Sequence, residues 1–278
     1  MNLIDLSCNL QYRVHTPTIF MFNISVINTT YQTIDFEKFM ITPETRVTFM
    51  DVGEKGNRIM RLQMQPGDFT LAYKARVKLY PQIHNPSEIE EETFEKIPVE
   101  VLPYLNPSRY CESDRLARLA MREFGQQTPG HQRVQSICDW THAQLQYVSG
   151  STDARSSACD VLVQGAGVCR DFAHLAITLC RALCIPARYV SGYAVGLKPQ
   201  DFHGFFEAYL KGGWYLFDAT RMAPRNGLVR IGAGRDASDV SFATIIGEAE
   251  LLDMQVLATE VTNNIDQDMA TEQAVSTV

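Results

Sequence analysis

Three residue types suited to thiol chemistry follow one another along the chain, in the order Cys169, His203 and Asp218. A cysteine thiolate can attack a carbonyl carbon, a histidine can relay its proton, and a carboxylate can orient the histidine. Cys169 opens a helix-like apolar segment, whereas the other two residues lie in two strand-like segments. The order predicts a nucleophile, its base and a group that orients the base.

The residues around Cys169 favour a reactive thiol. The first turn of a helix stabilises a thiolate, because unpaired backbone N–H groups and the helix dipole favour negative charge. Gly165 and Gly167 precede Cys169, and they allow a tight turn and the close approach of a substrate carbonyl. The Cys169 amide is then a candidate donor of an oxyanion hole. His174 is about 140° further round the helix and is excluded as the base.

His203 and Asp218 are predicted to meet across a hairpin. Their strands, near residues 202–210 and 214–220, are joined through Lys211-Gly212-Gly213. A turn centred on Lys211-Gly212 pairs His203 with Thr220 and makes Asp218 its diagonal neighbour, about 7–8 Å away between backbones. Asp218 would then fix the tautomer of His203 and stabilise its imidazolium form.

Three blocks of the sequence carry a family resemblance: Gly167-Val-Cys169-Arg-Asp-Phe-Ala173, His203-Gly-Phe-Phe-Glu207 and Trp214-Tyr-Leu-Phe-Asp218-Ala-Thr220. In this order they resemble the signature blocks of the transglutaminase-like superfamily, which is distantly similar to papain-type cysteine proteases. The resemblance is strongest over about residues 105–222, and the β-rich N-terminal region is similar to that of the small bacterial members. It implies an acyl transfer in which Cys169 forms a thioester, His203 relays the proton and Asp218 orients His203.

The resemblance leaves three functions open. The preferred one is a hydrolase (peptidase or amidase) acting on a peptide, protein or small amide substrate, since the chain lacks the extra β-domains of the large animal enzymes and an Asp/Asn-rich calcium loop. The alternatives are transfer of the acyl group to an amine, and a silent binding or scaffold module. None of these needs a cofactor, and no metal is expected.

The composition narrows the class of partners. The chain has 278 residues, 45% of them hydrophobic, and a formal net charge of −7, so it can bury a core but offers no basic field for nucleic acid. No segment is apolar enough to span a bilayer, and the start has no signal-peptide pattern. An odd count of seven cysteines is typical of reduced thiols, so a cytoplasmic location is expected. Nothing in the sequence indicates an oligomeric state.

The hydrophobic periodicity predicts an α+β fold. A period of two dominates from about residue 10 to 102, most clearly over 68–79, and residues 1–102 are predicted to form an antiparallel β-domain with a hairpin turn at 53–57. The acidic, proline-marked stretch that follows is predicted to be a linker or an interdomain strap. Residues 103–262 are predicted to form a transglutaminase-like catalytic domain, in which helices pack on an antiparallel sheet, and 263–278 to be a frayed tail.

Three helices are expected in the second domain. The first is capped by Ser113, the second opens at Thr128-Pro129, and the third starts near Gly167 and stops at Ile185-Pro186. Strands are expected near 187–195, 202–210 and 214–220, with more up to about 261.

Several other residues are weighed for the site. Asp171 is expected to stabilise the helix N-terminus, and Glu207 lies too far along its strand to orient His203. Trp140, Gln164 and Tyr193 are each either a second oxyanion donor, a substrate wall or simple packing. Four further cysteines are assigned to packing rather than to a metal site: Cys138, Cys159, Cys180 and Cys184.

Overall fold

The computed structural model describes residues 1–53, 56–262, 264–265 and 273–278. Its helices are α1 (Ala117–Phe124), α2 (His131–Gln144), α3 (Ala158–Gln164) and α4 (Cys169–Ala182). The strands of the first part of the chain are β1 (Asn2–Val14), β2 (Thr18–Phe22), β3 (Gln32–Thr42), β4 (Val47–Val52), β5 (Asn57–Met64), β6 (Gly67–Leu79) and β7 (Gln82–His84). The remaining strands are β8 (Gln146–Tyr147), β9 (Ala166–Gly167), β10 (Ala187–Ala194), β11 (Phe202–Leu210), β12 (Gly213–Phe217), β13 (Leu228–Gly234), β14 (Ala243–Ile246), β15 (Ala249–Glu260) and β16 (Ala274–Ser276). No helix in these described ranges combines the length and the hydropathy needed to cross a membrane.

The N-terminal region is an antiparallel β-domain, as its period of two predicts, and its strands form two sheets packed as a β-sandwich. One sheet has the order β15-β1-β6-β3 and the other β14-β2-β5-β4, and all their pairings are antiparallel. Apolar side chains from the two sheets share one core. Tyr12, Phe20 and Phe69 pack there with ring centroids 4.9–5.4 Å apart. The predicted hairpin pairs β4 with β5, although residues 54 and 55 of its turn lie outside the described residues.

A third sheet, of six strands, packs against the helices. Its order is β13-β10-β11-β12-β16-β7, and α4 packs on β10 and β11 at the centre of a second core. Every residue of α4 from Asp171 to Arg181 is buried. A helix buried all round must be apolar on most of its surface, which explains the long apolar run after Cys169. The fold class is α+β, as predicted.

The helices differ from the predicted set in two ways. The first begins at Ala117 rather than just after Ser113, and its N-cap residue is Leu116. The short helix α3 was not predicted, although Ser157 and Asp160 form a capping box at its start. Helices α2 and α4 lie where the period of 3.6 placed them.

The assignment of residues 103–262 to one domain is at odds with the strand pairing. Strand β14 pairs with β2, and β15 pairs with β1 over almost its whole length, so this segment returns to the N-terminal sandwich. A period of two identifies a strand but carries no information about the sheet that it joins. The acidic stretch contacts the helical part of the fold, because Glu91 forms an ion pair with Arg133 of α2.

The predicted frayed tail is wrong for its last residues. Residues 263 and 266–272 lie outside the described part, but β16 pairs with β12 on one side and β7 on the other. Its three residues are buried. A strand of three residues is too short to show a period, so the sequence could not reveal it.

The burial of Val275 yields a test of this strand. Its side chain is 3% exposed and packs in a core with Leu216 and Phe205. We expect Val275→Ala to cost about 2 kcal/mol, because two buried methyl groups are lost. Urea unfolding would measure this loss, with Val99→Ala at a valine that is 77% exposed as the matched control. Equal stability of the two variants would contradict the placement of β16.

Candidate active site

Cys169 is the first residue of α4 and is partly exposed. The Asp171 carboxylate accepts a hydrogen bond from the backbone N–H of Val168 at 2.9 Å, which caps the helix. Asp171 therefore stabilises the helix N-terminus, as predicted. The thiol lies where unpaired N–H groups favour a negative charge.

The chain reaches Cys169 through a turn that needs glycine. Gly165 follows α3 with φ of 71°, a left-handed conformation that glycine adopts without strain. The next two residues, β9, pair in parallel with β8. This short pairing brings Tyr147 next to the start of α4.

His203 and Asp218 are joined by a hydrogen bond. The distance from Nε2 of His203 to Oδ2 of Asp218 is 2.8 Å, and both side chains are buried. The other carboxylate oxygen accepts the backbone N–H of Thr220 at 2.9 Å and its hydroxyl at 2.7 Å. Strands β11 and β12 have the predicted register, since Leu210 pairs with Gly213.

The electrostatics of this pair favour a charged histidine. Burial opposes the charge, but the Asp218 carboxylate and the contact with Cys169 outweigh it and raise the pKa of His203 to about 10. Burial likewise opposes the ionised form of Asp218, yet His203 and Thr220 lower its pKa. The ring therefore keeps its proton at neutral pH.

Cys169 and His203 line the same cleft, and Cys169 is near enough to the ring to help raise the pKa of His203. Since Nε2 is bound to Asp218, Nδ1 is the nitrogen left to face the sulfur. The close approach of β11 to α4 makes this possible. A Cβ on Gly204 would lie 3.2 Å from the backbone nitrogen of Arg170 and 2.4 Å from the Tyr189 hydroxyl.

Tyr147 is a residue of the site that sequence reasoning missed. Its pairing with Gly167 places it beside Cys169. Burial and the neighbouring Cys169 raise the pKa of Tyr147 to about 12, so its phenol keeps its proton at neutral pH. A two-residue strand carries no periodic signal, and nothing in the sequence links β8 to Cys169.

The three candidates considered for a second oxyanion donor lie elsewhere. Trp140 packs against Phe124 in the helical core. Gln164 donates to the backbone carbonyl of Ser151, and the Tyr193 hydroxyl donates to that of Ile24 inside the sandwich. None of them lines the cavity at Cys169.

The residues excluded on geometry also have other partners. His174 accepts the backbone N–H of Ala237 at 3.1 Å, and burial lowers its pKa to about 3. Glu207 pairs with Arg188 and Arg230 rather than with His203. In the described part of the chain, no three metal-binding side chains converge.

Cys169 and His203 open into a cleft with a volume of about 350 Å³. Its walls come from both parts of the fold. Ala243 and Met254, from β14 and β15, line it together with Phe242. The β-sandwich therefore forms one side of the cleft.

The chain matches two family models. Residues 118–219 match the transglutaminase-like superfamily, and residues 3–103 match the N-terminal domain of bacterial transglutaminases. The crystal structure of a candidate cysteine protease from Cytophaga hutchinsonii is similar over 99% of this chain and 97% of that one, with 38% identity and a TM-score of 0.94.

Curated relatives come from mycobacteria. An uncharacterised protein of Mycobacterium leprae is 34% identical over 147 residues, which are 49% of this chain and 52% of the relative. One from Mycobacterium tuberculosis is 35% identical over 89 residues, 32% of this chain and 28% of the relative. The matched region thus spans about half of the first relative and less than a third of the second.

Gly204 provides a test of the contact between β11 and α4. We expect Gly204→Ala to destabilise the protein by about 1–3 kcal/mol, because the new methyl group overlaps the Tyr189 hydroxyl. Urea unfolding would measure the loss. Adding Tyr189→Phe should recover part of it, since the overlapping oxygen is then absent.

Gly213→Ala is the matched control, because a Cβ there meets an ordinary contact at 3.8 Å. If Gly204→Ala were as stable as this control, β11 and α4 would not approach as closely as described.

Proposed function

The chain belongs to the transglutaminase-like superfamily, and from this membership we propose that it is a cysteine-dependent hydrolase that cleaves amide bonds. The observation that carries the proposal is that Cys169 shares the cleft with His203, whose Nε2 lies 2.8 Å from Oδ2 of Asp218. Nucleophile, proton carrier and orienting carboxylate are then in the order that thiol catalysis needs.

The first half of the reaction forms a thioester. His203 holds the thiol proton on Nδ1, and the thiolate sulfur of Cys169 attacks the amide carbonyl carbon. The carbon–nitrogen bond then breaks, and His203 gives its proton to the leaving nitrogen, which departs as an amine. Asp218 holds the ring in place and balances its positive charge throughout.

The second half releases the acid. Water attacks the thioester carbon while Nδ1 of His203 accepts one of its protons, and the bond between carbon and sulfur breaks. The products are a carboxylic acid and the regenerated pair of Cys169 and His203. An amine in place of water would give a new amide, which is the acyl-transfer alternative.

The oxyanion is assigned two donors. The first is the Cys169 backbone N–H, in the first turn of α4. The second is the O–H group of Tyr147, which lies beside Cys169.

Access to the thiol favours catalysis over a silent scaffold. Cys169 is partly exposed and lines the cleft, so a substrate can reach it. The relative from Cytophaga hutchinsonii, described as a candidate cysteine protease, supports hydrolysis. With primary amines present, an acid product supports the hydrolase, and an amide product supports acyl transfer.

Alkylation tests the activated thiol without knowledge of the substrate. At pH 6.5 we expect iodoacetamide to label Cys169 roughly tenfold faster than Cys184, because His203 holds a proton and stabilises the thiolate. Cys184 is exposed and serves as a reference within the same molecule. Mass spectrometry would locate both labels.

The advantage of Cys169 should fall as the pH rises toward 10, where His203 loses its proton. His203→Ala should remove it at every pH. If Cys169 reacted no faster than Cys184 in the unmodified protein, the proposed pair would be inactive.

Hydrolysis itself is tested with a peptide library made by cleavage at glutamate. New peptide ends should form with the unmodified protein and not with Cys169→Ala, because the thioester requires the sulfur. Cleavage by both proteins would disprove the role of the thiol, and cleavage by neither would count against a peptidase.

Tyr147→Phe tests the second oxyanion donor on any peptide that the library yields. We expect kcat/KM to fall about 100-fold, the usual effect of losing one such donor. Tyr193→Phe is the control, since that hydroxyl is bonded inside the sandwich. A rate for Tyr147→Phe equal to that of the control would remove Tyr147 from the mechanism.

A further inference from the structure

The cleft contains one charge that the described protein does not balance. Apart from the Cys169 thiol, the lining side chains that carry a charge are Arg170, Asp201 and His203. Arg170 is paired with Asp171, and His203 with Asp218. Among the described residues, no Lys, Arg or His nitrogen lies within ion-pair distance of Asp201, whose carboxylate accepts only the neighbouring backbone N–H of residue 202.

The Asp201 carboxylate is exposed at the cleft. Partial burial raises the pKa of Asp201, and the Phe202 N–H and the charge of His203 oppose this shift. A positive group bound beside it would therefore meet an accessible carboxylate that no cation of the described residues pairs.

The neighbouring wall suits a long aliphatic chain. Phe202 and Phe242 are stacked with ring centroids 5.5 Å apart, and they line the cleft together with Val240 and Met254. Lysine and arginine carry their charge on an aliphatic stem, which packs on such surfaces while the charged end finds polar groups. Aromatic faces also attract the cation itself.

The cleft contains a further polar group without a protein partner. The Ser191 side chain is 9% exposed and lines the cleft, and its hydroxyl has no hydrogen-bond partner among the described residues. Buried hydroxyl groups usually have one, so this oxygen is available to a ligand. An ammonium group with three donors, or a guanidinium with five, can supply it.

The position of Asp201 indicates which part of a substrate it would meet. It lies two residues before His203, about 7 Å along an extended backbone. His203 must reach the leaving nitrogen to protonate it, so the leaving fragment lies on the His203 side of the thiol. A side chain just beyond the scissile bond is thus the one nearest to Asp201.

We propose, on the basis of the proposed function, that the cleft selects substrates with a lysine or arginine immediately after the scissile bond. The stem of that residue packs on Phe202 and Phe242, and its charge pairs with Asp201.

Charged thiol reagents test the subsite independently of hydrolysis. Trimethylammonioethyl methanethiosulfonate is cationic and methyl methanethiosulfonate is neutral. Both transfer their alkylthio group to the cysteine sulfur, forming a disulfide with release of methanesulfinate. For each cysteine, the preference is the rate with the cationic reagent divided by the rate with the neutral one. We expect the preference at Cys169, relative to that at Cys184, to fall roughly tenfold in Asp201→Asn. Asp253→Asn, a carboxylate bonded to Gln255, should leave the ratio unchanged.

The peptide library supplies the second measurement. Cleavage sites of the unmodified protein should be enriched in lysine and arginine directly after the cut, and Asp201→Asn should lose the enrichment. A reagent ratio that Asp201→Asn does not change overturns the subsite, and so does cleavage without basic enrichment. A reagent preference with no cleavage overturns the proposed hydrolysis and leaves the cationic subsite standing.

Discussion

The close contact of β11 with the first turn of α4 is the constraint on which the site depends. Gly204 permits it, because a side chain there would press against the backbone nitrogen of Arg170. His203 immediately precedes Gly204, and Cys169 immediately precedes Arg170. Bringing the two backbones together therefore places imidazole and thiol side by side, and one small residue sets the distance between them.

The sheet must hold β11 in register for this contact to form. Glu207 lies on β11 and pairs with Arg188 of β10 and Arg230 of β13, and all three side chains are buried. Burial opposes its ionisation, but the two arginines lower the pKa of Glu207 to about 2. A buried ion pair adds little net stability, yet the loss of one partner leaves a costly bare charge. This cluster thus penalises any shift of β11 against its neighbours.

The sequence predicts local features of this protein far better than distant ones. The register of His203 and Asp218 could be worked out because a short turn at Lys211 and Gly212 links their strands. In such a hairpin, the number of residues in the turn decides which residues pair and which side chains share a face. The return of β15 to β1, by contrast, joins residues more than two hundred positions apart. No local pattern encodes such a pairing. The two-residue pairing of β8 with β9, which places Tyr147 beside Cys169, likewise gives no periodic signal.

Both cores contribute to the walls of the cleft through two strands, β10 and β15. Strand β10 carries Tyr189 in the helical core and Tyr193 in the sandwich core, where the Tyr193 hydroxyl donates to the Ile24 carbonyl. Strand β15 pairs with β1 and also supplies Met254 to the cleft. A change in the packing of the sandwich would therefore move a wall of the cleft while Cys169 and His203 stay in place. Helix α4 and strand β11, which carry Cys169 and His203, pack in the second core, whereas the shape of the cleft depends on both cores.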